Sequence, residues 1–329
     1  MTDKNNSPNT PKAPAIEHAP DINRMMFIAL LPAIIMAVIF FGLPSLRIML
    51  ASVISCLLFE YVIQKFFLKV PSTIRDGSAV ITGLLLAFNL PAGLPAWIVI
   101  TGSMVVMGIT KLSFGRLGQN PFNPVLVGRV FLAISFPAQM TTWTATITAI
   151  DSFTGATPLG LLKEGLKNGK SLETIMADSQ IPGYFDMFWG NMSGSLGEIS
   201  AIAILMGGLY LVWKKIITWH IPVAVLSTIF IFQGMLWMVA PGRFMDPLFH
   251  LITGGAMLGA FFMAPGLASS KMTNPGKLIF GVGIALITLI FRNFGPYPEG
   301  IAYAILIMNG LTPLIHAKVK TQLPKDSLT

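Results

Sequence analysis

The sequence predicts an all-α polytopic membrane protein with about ten transmembrane helices. Of its 329 residues, 53% are hydrophobic and only 11% are charged, whereas soluble domains carry about 25% charged residues. The mean hydropathy is +0.71, and the apolar residues are gathered into long segments. So few charges cannot cover a water-facing surface, which excludes a soluble enzyme and, away from the chain ends, low-complexity disorder.

Each apolar segment is long enough to enter a bilayer, where a helix satisfies its own backbone polar groups. We predict spans at residues 25–43, 48–68, 75–92, 95–112, 121–138, 195–213, 217–240, 246–265, 278–294 and 298–316. Residues 1–24 are polar and proline-rich, which predicts a disordered cytoplasmic tail rather than a signal peptide. Residues 317–329 are expected to form a second cytoplasmic tail.

The distribution of Lys and Arg predicts the orientation. With the first residue in the cytoplasm, fifteen of the 22 basic side chains lie inside, six lie outside and Arg129 falls within the fifth span. This excess predicts that both ends face the cytoplasm of a bacterium or archaeon. The net charge of +8 is therefore interpreted as a topology signal in contact with membrane lipid, and no nucleic-acid partner is expected.

The spans divide into two sets of five, at residues 25–138 and 195–316, joined by an extracytoplasmic loop at residues 139–194. An odd number of spans per set predicts inverted repeats. The third and eighth spans share an acid followed by an Ile-Thr-Gly triplet, as Asp76 with Ile81-Thr82-Gly83 and Asp246 with Ile252-Thr253-Gly254. The alternative is that Thr-Gly pairs are common wherever membrane helices pack closely.

Charged residues in or near the spans are functional candidates, because burying a charge in lipid is costly. The acids are Glu60, Asp76, Glu198, Asp246 and Glu299. We interpret Glu198 and Glu299 as interfacial or paired acids. Arg129 lies deeper and requires either an acidic partner or an anionic ligand.

No metal or haem centre is predicted. The four histidines, His18, His220, His250 and His316, are not spaced as pairs of ligands on one helix, and Cys56 is the single cysteine. One cysteine cannot hold an iron–sulfur cluster, and no Cys/His/acid cluster suggests zinc.

Two amides and two prolines open the fifth span in the segment Gly118-Gln119-Asn120-Pro121-Phe122-Asn123-Pro124. The amides of Asn120 and Asn123 could hydrogen-bond a planar heterocycle, and a helix amino terminus attracts anions. The alternative is a helix cap with a proline-set turn, and chemistry alone favours the cap.

The outer loop contains the segment Asp151-Ser152-Phe153-Thr154-Gly155-Ala156-Thr157-Pro158-Leu159. It predicts a turn that begins at Asp151 and holds hydroxyl groups among small residues. Thr157 does not have the pattern of a triad nucleophile, because no histidine base lies nearby in the sequence. The small neighbours would let a bulky group reach its hydroxyl.

This segment resembles the flavinylation motif of the Rnf and Na+-NQR respiratory complexes, an acidic residue followed by Ser/Thr-Gly-Ala-Thr. The resemblance implies that Thr157 carries FMN through a phosphoester bond installed by a separate flavin transferase. It also implies that Asp151, Thr154, Gly155 and Ala156 complete the binding motif.

Other segments resemble the RnfD/NqrB family, namely Ile74 to Ala79, Thr82 to Leu85, Phe114 to Pro124, Pro296 to Gly300 and Tyr303 to Leu306. The resemblance covers most of residues 22–316, and the short amino-terminal tail is typical of the RnfD branch. It implies a urea-transporter-like fold with inverted five-helix repeats. One departure is the segment from Ala264 to Ser270, which lacks the acid and one hydroxyl of the family pattern Ala-Thr-Asp-Pro-Val-Thr-Ser-Pro.

The resemblance implies a membrane flavoprotein component that relays electrons in an Rnf-type ferredoxin:NAD+ oxidoreductase exporting Na+ or H+. Expected partners are the other proteins of the Rnf complex, especially RnfG, which is also flavinylated, and RnfA, RnfC and RnfE. A second flavin, riboflavin, is expected near Asp76, Asn120 and Asn123.

From topology alone, four residues near the outer membrane boundary are expected as neighbours of FMN: Asn89, Arg243, Asp246 and Arg292. Three alternative functions stay open. They are the NqrB component of a Na+-translocating NADH:quinone reductase, a flavin-free small-solute channel, and a scaffold whose loop docks partners.

Overall fold

The computed structural model describes residues 19–113, 120–146, 154–178, 181–266, 272–295 and 297–322. Within these ranges the chain is predominantly helical, which confirms the all-α membrane class. The helices are α1 (Ala19–Phe41), α2 (Leu43–Val62), α3 (Ser78–Phe88), α4 (Ala96–Met104), α5 (Pro124–Ser135), α6 (Pro137–Thr141), α7 (Pro158–Lys167), α8 (Leu172–Met176), α9 (Tyr184–Trp189), α10 (Ala201–Trp213), α11 (His220–Val239), α12 (Pro247–Ile252), α13 (Ala256–Leu258), α14 (Asn274–Asn293) and α15 (Ile301–Gln322). Helices α2, α4 and α13 continue as π-helical turns at Ile63–Leu68, Val105–Lys111 and Gly259–Met263.

In the described ranges, four helices are long and apolar enough to cross a membrane: α1, α2 with its π turn, α11 and α14. Shorter apolar helices account for most of the remaining predicted spans. Large apolar side chains project outward from these helices; Leu43 is 80% exposed, Trp213 74% and Val239 84%. Such exposure is unfavourable in water and favourable in lipid, which agrees with a polytopic membrane protein.

Two predicted spans are shorter or more broken than the apolar pattern suggested. The third was predicted at residues 75–92, but its helix ends at Phe88, ahead of a proline- and glycine-rich turn. The eighth was predicted as continuous over 246–265, but it breaks between α12 and α13. Gly254 and Gly255 have φ angles of +63° and +66° there, and glycine adopts this left-handed conformation without steric cost.

Corresponding helices of the two halves have corresponding neighbours. In the first half α2 packs against α3 and α4, and in the second α11 packs against α12 and α14. Likewise α4 packs against α5, and α14 against α15, while α1 packs against α10 across the halves. This matching supports a repeat, and its inverted orientation stays a prediction.

One face of the molecule, here called the terminal face, is where α1 begins. Asn23 of α1 donates a hydrogen bond to the carbonyl of Asp76 at 2.8 Å. Lys111 donates to the Ser78 hydroxyl at 2.8 Å, and its own carbonyl accepts from Asn120 at 3.4 Å. These contacts place the ends of several spans on one side.

The opposite face, here called the loop face, carries the segment between the two halves. Its strands β1 (Trp143–Thr144) and β2 (Thr154–Gly155) pair antiparallel, with Trp143 opposite Gly155. Helices α7, α8 and α9 follow. The described part of this loop is therefore folded, and it holds α7 against the membrane helices.

Candidate functional site

A partly open cavity of about 220 Å³ lies between the folded loop and the membrane helices. The loop contributes Trp143 and Thr157 to its lining, α5 contributes Arg129, and the segment before α15 contributes Tyr297 and Glu299. The cavity therefore joins the candidate flavinylation segment to both halves of the membrane domain.

Thr157 occupies the N-cap position of α7, and Pro158 is the first helical residue. Its hydroxyl oxygen accepts a hydrogen bond from the backbone N–H of Gly160 at 3.1 Å. Thr157 is only 4% exposed, and it borders the cavity. A group attached to this oxygen would therefore extend into the cavity and lie at the positive end of the helix dipole.

The packing near Thr157 leaves little space for larger side chains at two glycines. A Cβ atom added at Gly155 would lie 2.4 Å from the Ser193 hydroxyl oxygen. A Cβ atom added at Gly160 would lie 3.1 Å from the Thr157 hydroxyl oxygen. Ala156 is exposed, so the packing does not restrict its size, and its predicted role as a small neighbour stays a prediction.

Aromatic rings form one wall of the cavity. The rings of Tyr297 and Tyr303 stack with centroids 5.5 Å apart and planes inclined by 19°. Phe291 stacks on Tyr303 with centroids 5.6 Å apart and planes inclined by 21°. Trp143, 7% exposed, lies in the lining contributed by the loop. Such flat apolar walls favour a planar aromatic ligand.

An ion pair between Arg129 and Glu299 forms one side of the cavity, here called its floor. Arg129 of α5 pairs with Glu299 and also donates to the carbonyl of Asn89, at the end of α3. This answers the requirement for a partner at Arg129, and it confirms that Glu299 is a paired acid. The second carboxylate oxygen of Glu299 is buried and has no hydrogen-bond partner among the described residues.

Lys163 anchors α7 over the cavity. Its ammonium group donates to the carbonyls of Phe291 at 3.1 Å, Arg292 at 3.4 Å and Tyr297 at 3.0 Å. The first two carbonyls belong to the last turn of α14, where a cation is favoured by the helix dipole. Partial burial lowers the pKa of Lys163 below its ordinary value.

Glu198 lies behind the floor, at a smaller cavity of about 10 Å³ that Arg129 and Glu299 also line. It is 7% exposed and makes no ion pair within 4.0 Å among the described residues. The structure therefore shows no ion pair at Glu198 among the described residues, and its predicted interfacial position stays a prediction. The segment at 195–200 is not helical but folds inward, where Gly197 and Leu196 donate to the carbonyls of Phe88 and Leu90.

The residues expected at a second flavin lie on the terminal face. Asp76 accepts from the backbone N–H of Ser78 at 2.7 Å. Asn123 caps α5 by accepting from Val125 at 3.0 Å, and its amide donates to the carbonyl of Met263 at 2.9 Å. The helix-cap interpretation of Asn123 is confirmed. The side-chain oxygen of Asn120 is buried without a partner in the described ranges.

The four residues expected as FMN neighbours are not among the described lining of the cavity. Asp246 caps α12 and accepts from the Tyr184 phenol, and this hydrogen bond with burial raises the pKa of Tyr184. Arg243 lies over the Phe244 ring at 5.5 Å. Arg292 is committed to backbone carbonyls, and Asn89 lines the smaller cavity. Their expected role as FMN neighbours therefore stays a prediction from topology.

Part of the motif falls outside the described residues. Asp151 is not described, and Thr154 is described only as backbone in β2. The sequence reasoning missed Trp143, Tyr297 and Tyr303 as cavity residues. Tyr297 lies in the segment from Pro296 to Gly300, which resembles the family, so this resemblance was the sequence feature that could have identified it as a site residue.

Comparison with known proteins identifies relatives over nearly the whole chain. The model of the NQR2, RnfD, RnfE family matches residues 9–324. The D subunit of the Na+-translocating ferredoxin:NAD+ oxidoreductase complex of Acetobacterium woodii is 46% identical, over 96% of this chain and 93% of that protein. The D subunit of the proton-translocating ferredoxin:NAD+ oxidoreductase complex of Clostridium ljungdahlii is 43% identical, over 88% and 86%. The D subunit of an ion-translocating oxidoreductase complex of Escherichia coli is 36% identical, over 88% and 90%.

Proposed function

Because the chain belongs to the NQR2, RnfD, RnfE family, we propose that it is a membrane component of an Rnf-type ion-translocating ferredoxin:NAD+ oxidoreductase. We propose further that it relays electrons through FMN carried covalently on Thr157. The observation that carries the proposal is the hydroxyl of Thr157, which caps α7 and borders an aromatic-walled cavity.

The residues present fit a phosphoester. An ester oxygen at Thr157 could still accept the hydrogen bond from Gly160, so the helix cap need not be lost. The phosphate would lie at the amino terminus of α7, where backbone N–H groups and the helix dipole favour an anion. Arg129 lies in the same lining but is already paired with Glu299, so the helix amino terminus would be the main source of positive potential at the phosphate.

The cavity fits part of FMN. Its volume of about 220 Å³ is below the about 300–1,000 Å³ of sites that enclose a small molecule. Tyr297, Tyr303 and Trp143 would hold the planar ring, and the open side would leave an edge available to a partner. Bound FMN supplies one-electron transfer chemistry; the chain's residues hold it, shield it from water and set its electrostatic surroundings.

The relatives are named as subunits of complexes, and the same assembly is proposed here. The partners would be the other proteins of the Rnf complex, among them the flavinylated RnfG together with RnfA, RnfC and RnfE, with a flavin transferase for maturation. The loop face would lie outside the cytoplasmic membrane. A second, non-covalent riboflavin is proposed at Asp76, Asn120 and Asn123. It is supported by the amide oxygen of Asn120, which is buried without a hydrogen-bond partner among the residues that the structure describes.

The test is in-gel flavin fluorescence of the denatured chain, coexpressed with an active flavin transferase. Wild type is expected to fluoresce, and Thr157→Ala is expected to lose the signal completely. The matched control is Thr273→Ala. Thr273 is also an N-cap threonine, and its hydroxyl accepts from Gly276 at 3.3 Å.

Both substitutions remove a cap that contributes about 1 kcal/mol, so they separate loss of folding from loss of the attachment site. Thr273→Ala should remain fluorescent. A dark wild-type band, with the transferase active on another substrate, would contradict the proposal and favour the channel or scaffold. Equal fluorescence in wild type and Thr157→Ala would exclude Thr157 as the attachment site.

A further inference from the structure

Three described acids in the membrane domain are well buried, and Glu198 differs from the other two. Glu60 pairs with Lys111 at 3.2 Å, and Glu299 pairs with Arg129. The backbone N–H of Glu198 donates to the Ser195 carbonyl at 3.1 Å, but its carboxylate has no Lys or Arg nitrogen within 4.0 Å among the described residues. A buried carboxylate without a cationic partner is costly, so this group gains most from binding a proton.

The guanidinium groups that face Glu198 belong to Arg129 and Arg292, and both make their hydrogen bonds to other groups; Nε of Arg292 is buried without a partner among the described residues. Arg129 is engaged by Glu299 and by the carbonyl of Asn89. Arg292 of α14 donates to the carbonyls of His250, Thr253 and Gly254, at 2.5, 2.9 and 2.9 Å, at the break between α12 and α13. Neither guanidinium is placed to neutralise Glu198 by direct contact.

Glu198 lies directly behind the floor of the proposed flavin cavity. Arg129 and Glu299 line both the larger cavity at Thr157 and the smaller cavity at Glu198. The smaller cavity, about 10 Å³, is close to the about 10–15 Å³ that a single water occupies. Charge added in the larger cavity is therefore separated from the Glu198 carboxyl by only one layer of side chains.

We infer that Glu198 is the proton-accepting group that compensates the charge when an electron enters the cavity at Thr157. This inference rests on the proposed function. An iron–sulfur protein such as ferredoxin, directly or through partner proteins, loses one electron, and the electron enters the bound cofactor. One proton moves from a hydronium ion of the surrounding water to the carboxylate of Glu198, so an O–H bond of hydronium breaks as the carboxyl O–H bond forms. The proton returns to water when the electron leaves.

The physical reason is the electrostatics of a poorly solvated site. An added negative charge nearby favours the neutral form of a carboxyl group, and the effect is stronger where water is excluded. Glu299 is in direct contact with Arg129, whereas Glu198 has no such contact among the described residues, so we assign the adjustable charge to Glu198. Glu198 is not part of the lining of the larger cavity, so its role can be tested separately from flavin attachment.

The test uses the full chain with covalent FMN, reduced stepwise with dithionite and followed by infrared difference spectroscopy. Wild type should show a protonated-carboxyl C=O band on reduction, and Glu198→Gln should lack it. Glu198→Asp should keep the band at a shifted frequency. The control is Glu173→Gln, an exposed loop acid, whose spectrum should match wild type.

A second readout is the midpoint potential of the flavin against pH. Coupling one proton to one electron contributes about 59 mV per pH unit, the one-electron equivalent of a tenfold change. In the pH range where the midpoint potential of the wild type changes with this slope, the slope of Glu198→Gln is expected to be smaller by up to about 59 mV per pH unit.

The outcomes separate the two claims. An unchanged band and slope in fluorescent Glu198→Gln would overturn this inference and leave the proposed function intact. If Glu198→Gln fails to fold, Glu198→Asp tests the inference instead. A protonated-carboxyl C=O band at the wild-type frequency in Glu198→Asp would assign the proton to another residue and overturn the inference. Absence of covalent flavin from the wild type would overturn both claims.

Discussion

The cavity at Thr157 and the polar residues at Asp76, Asn120 and Asn123 lie on opposite faces of the membrane domain. On the loop face the hydroxyl caps α7 beside an open cavity, and the capping bond needs only its oxygen as acceptor. On the terminal face Asn123 uses both ends of its amide, for a cap and for a contact with Met263.

The difference is one of chemical availability. A hydroxyl that only accepts keeps its proton and can be esterified, whereas the Asn123 amide already makes one bond as donor and one as acceptor. We therefore expect substitutions on the loop face to act on the covalent flavin, and substitutions at Asn123 to act on stability while leaving the covalent flavin in place. The following predictions test that division, in decreasing order of expected effect.

The ion pair on the floor should be the most sensitive point. Arg129→Met leaves Glu299 buried without its partner, and such a change costs about 3–5 kcal/mol. We expect a large fall in the thermal unfolding temperature of the purified chain, measured by intrinsic fluorescence.

The control is the double variant Arg129→Met/Glu299→Gln, which removes both charges together. It should recover most of the lost stability, because replacing both members of a buried pair is often nearly neutral. A double variant no more stable than Arg129→Met would show that the pair is not the source of the effect.

The contact of Lys163 with three carbonyls should come next. Lys163→Met keeps much of the side-chain volume but removes charged hydrogen bonds, and partial exposure reduces the expected cost to about 1–2 kcal/mol. Limited proteolysis should cut the region around α7 faster in this variant. Lys167→Met, at an exposed position of the same helix, should match wild type; equal acceleration in both would contradict the anchoring role.

Asn123 should show the smallest effect. Asn123→Ala removes the cap of α5 at a cost of about 1 kcal/mol, and it should lower the unfolding temperature without changing covalent flavin at Thr157. Asn123→Asp should retain the cap and lose only the donation to Met263. Loss of the covalent flavin from folded Asn123→Ala would show that the two faces are not independent.

The sequence predicted the all-α membrane class and most of the apolar helices, while its division of the chain into two helical sets around a loop stays a prediction. Composition and segment length suffice for the class and the helices, because lipid permits few alternatives. The ends of α3 and the break before α13 were not predicted. The apolar pattern of a sequence does not show that two glycines such as Gly254 and Gly255 adopt the left-handed backbone conformation. That conformation depends on how distant helices pack.

The candidate site was predicted in part. Thr157 and its small neighbours were identified from a local motif, which a sequence displays directly. Tyr297, Tyr303 and the anchoring role of Lys163 depend on contacts between residues more than a hundred positions apart, and a single sequence has no local signal for such contacts. The expected FMN neighbours Arg243 and Asp246 lie outside the described lining of the cavity, and their role stays a prediction.

The most direct test of the central claim is peptide mapping by mass spectrometry of the chain coexpressed with its flavin transferase. We expect the peptide that contains Thr157 to carry the mass of FMN less one water, with fragment ions that place the phosphoester on that residue. An unmodified Thr157 peptide under conditions where the transferase is active, or FMN located on another residue, would contradict the account.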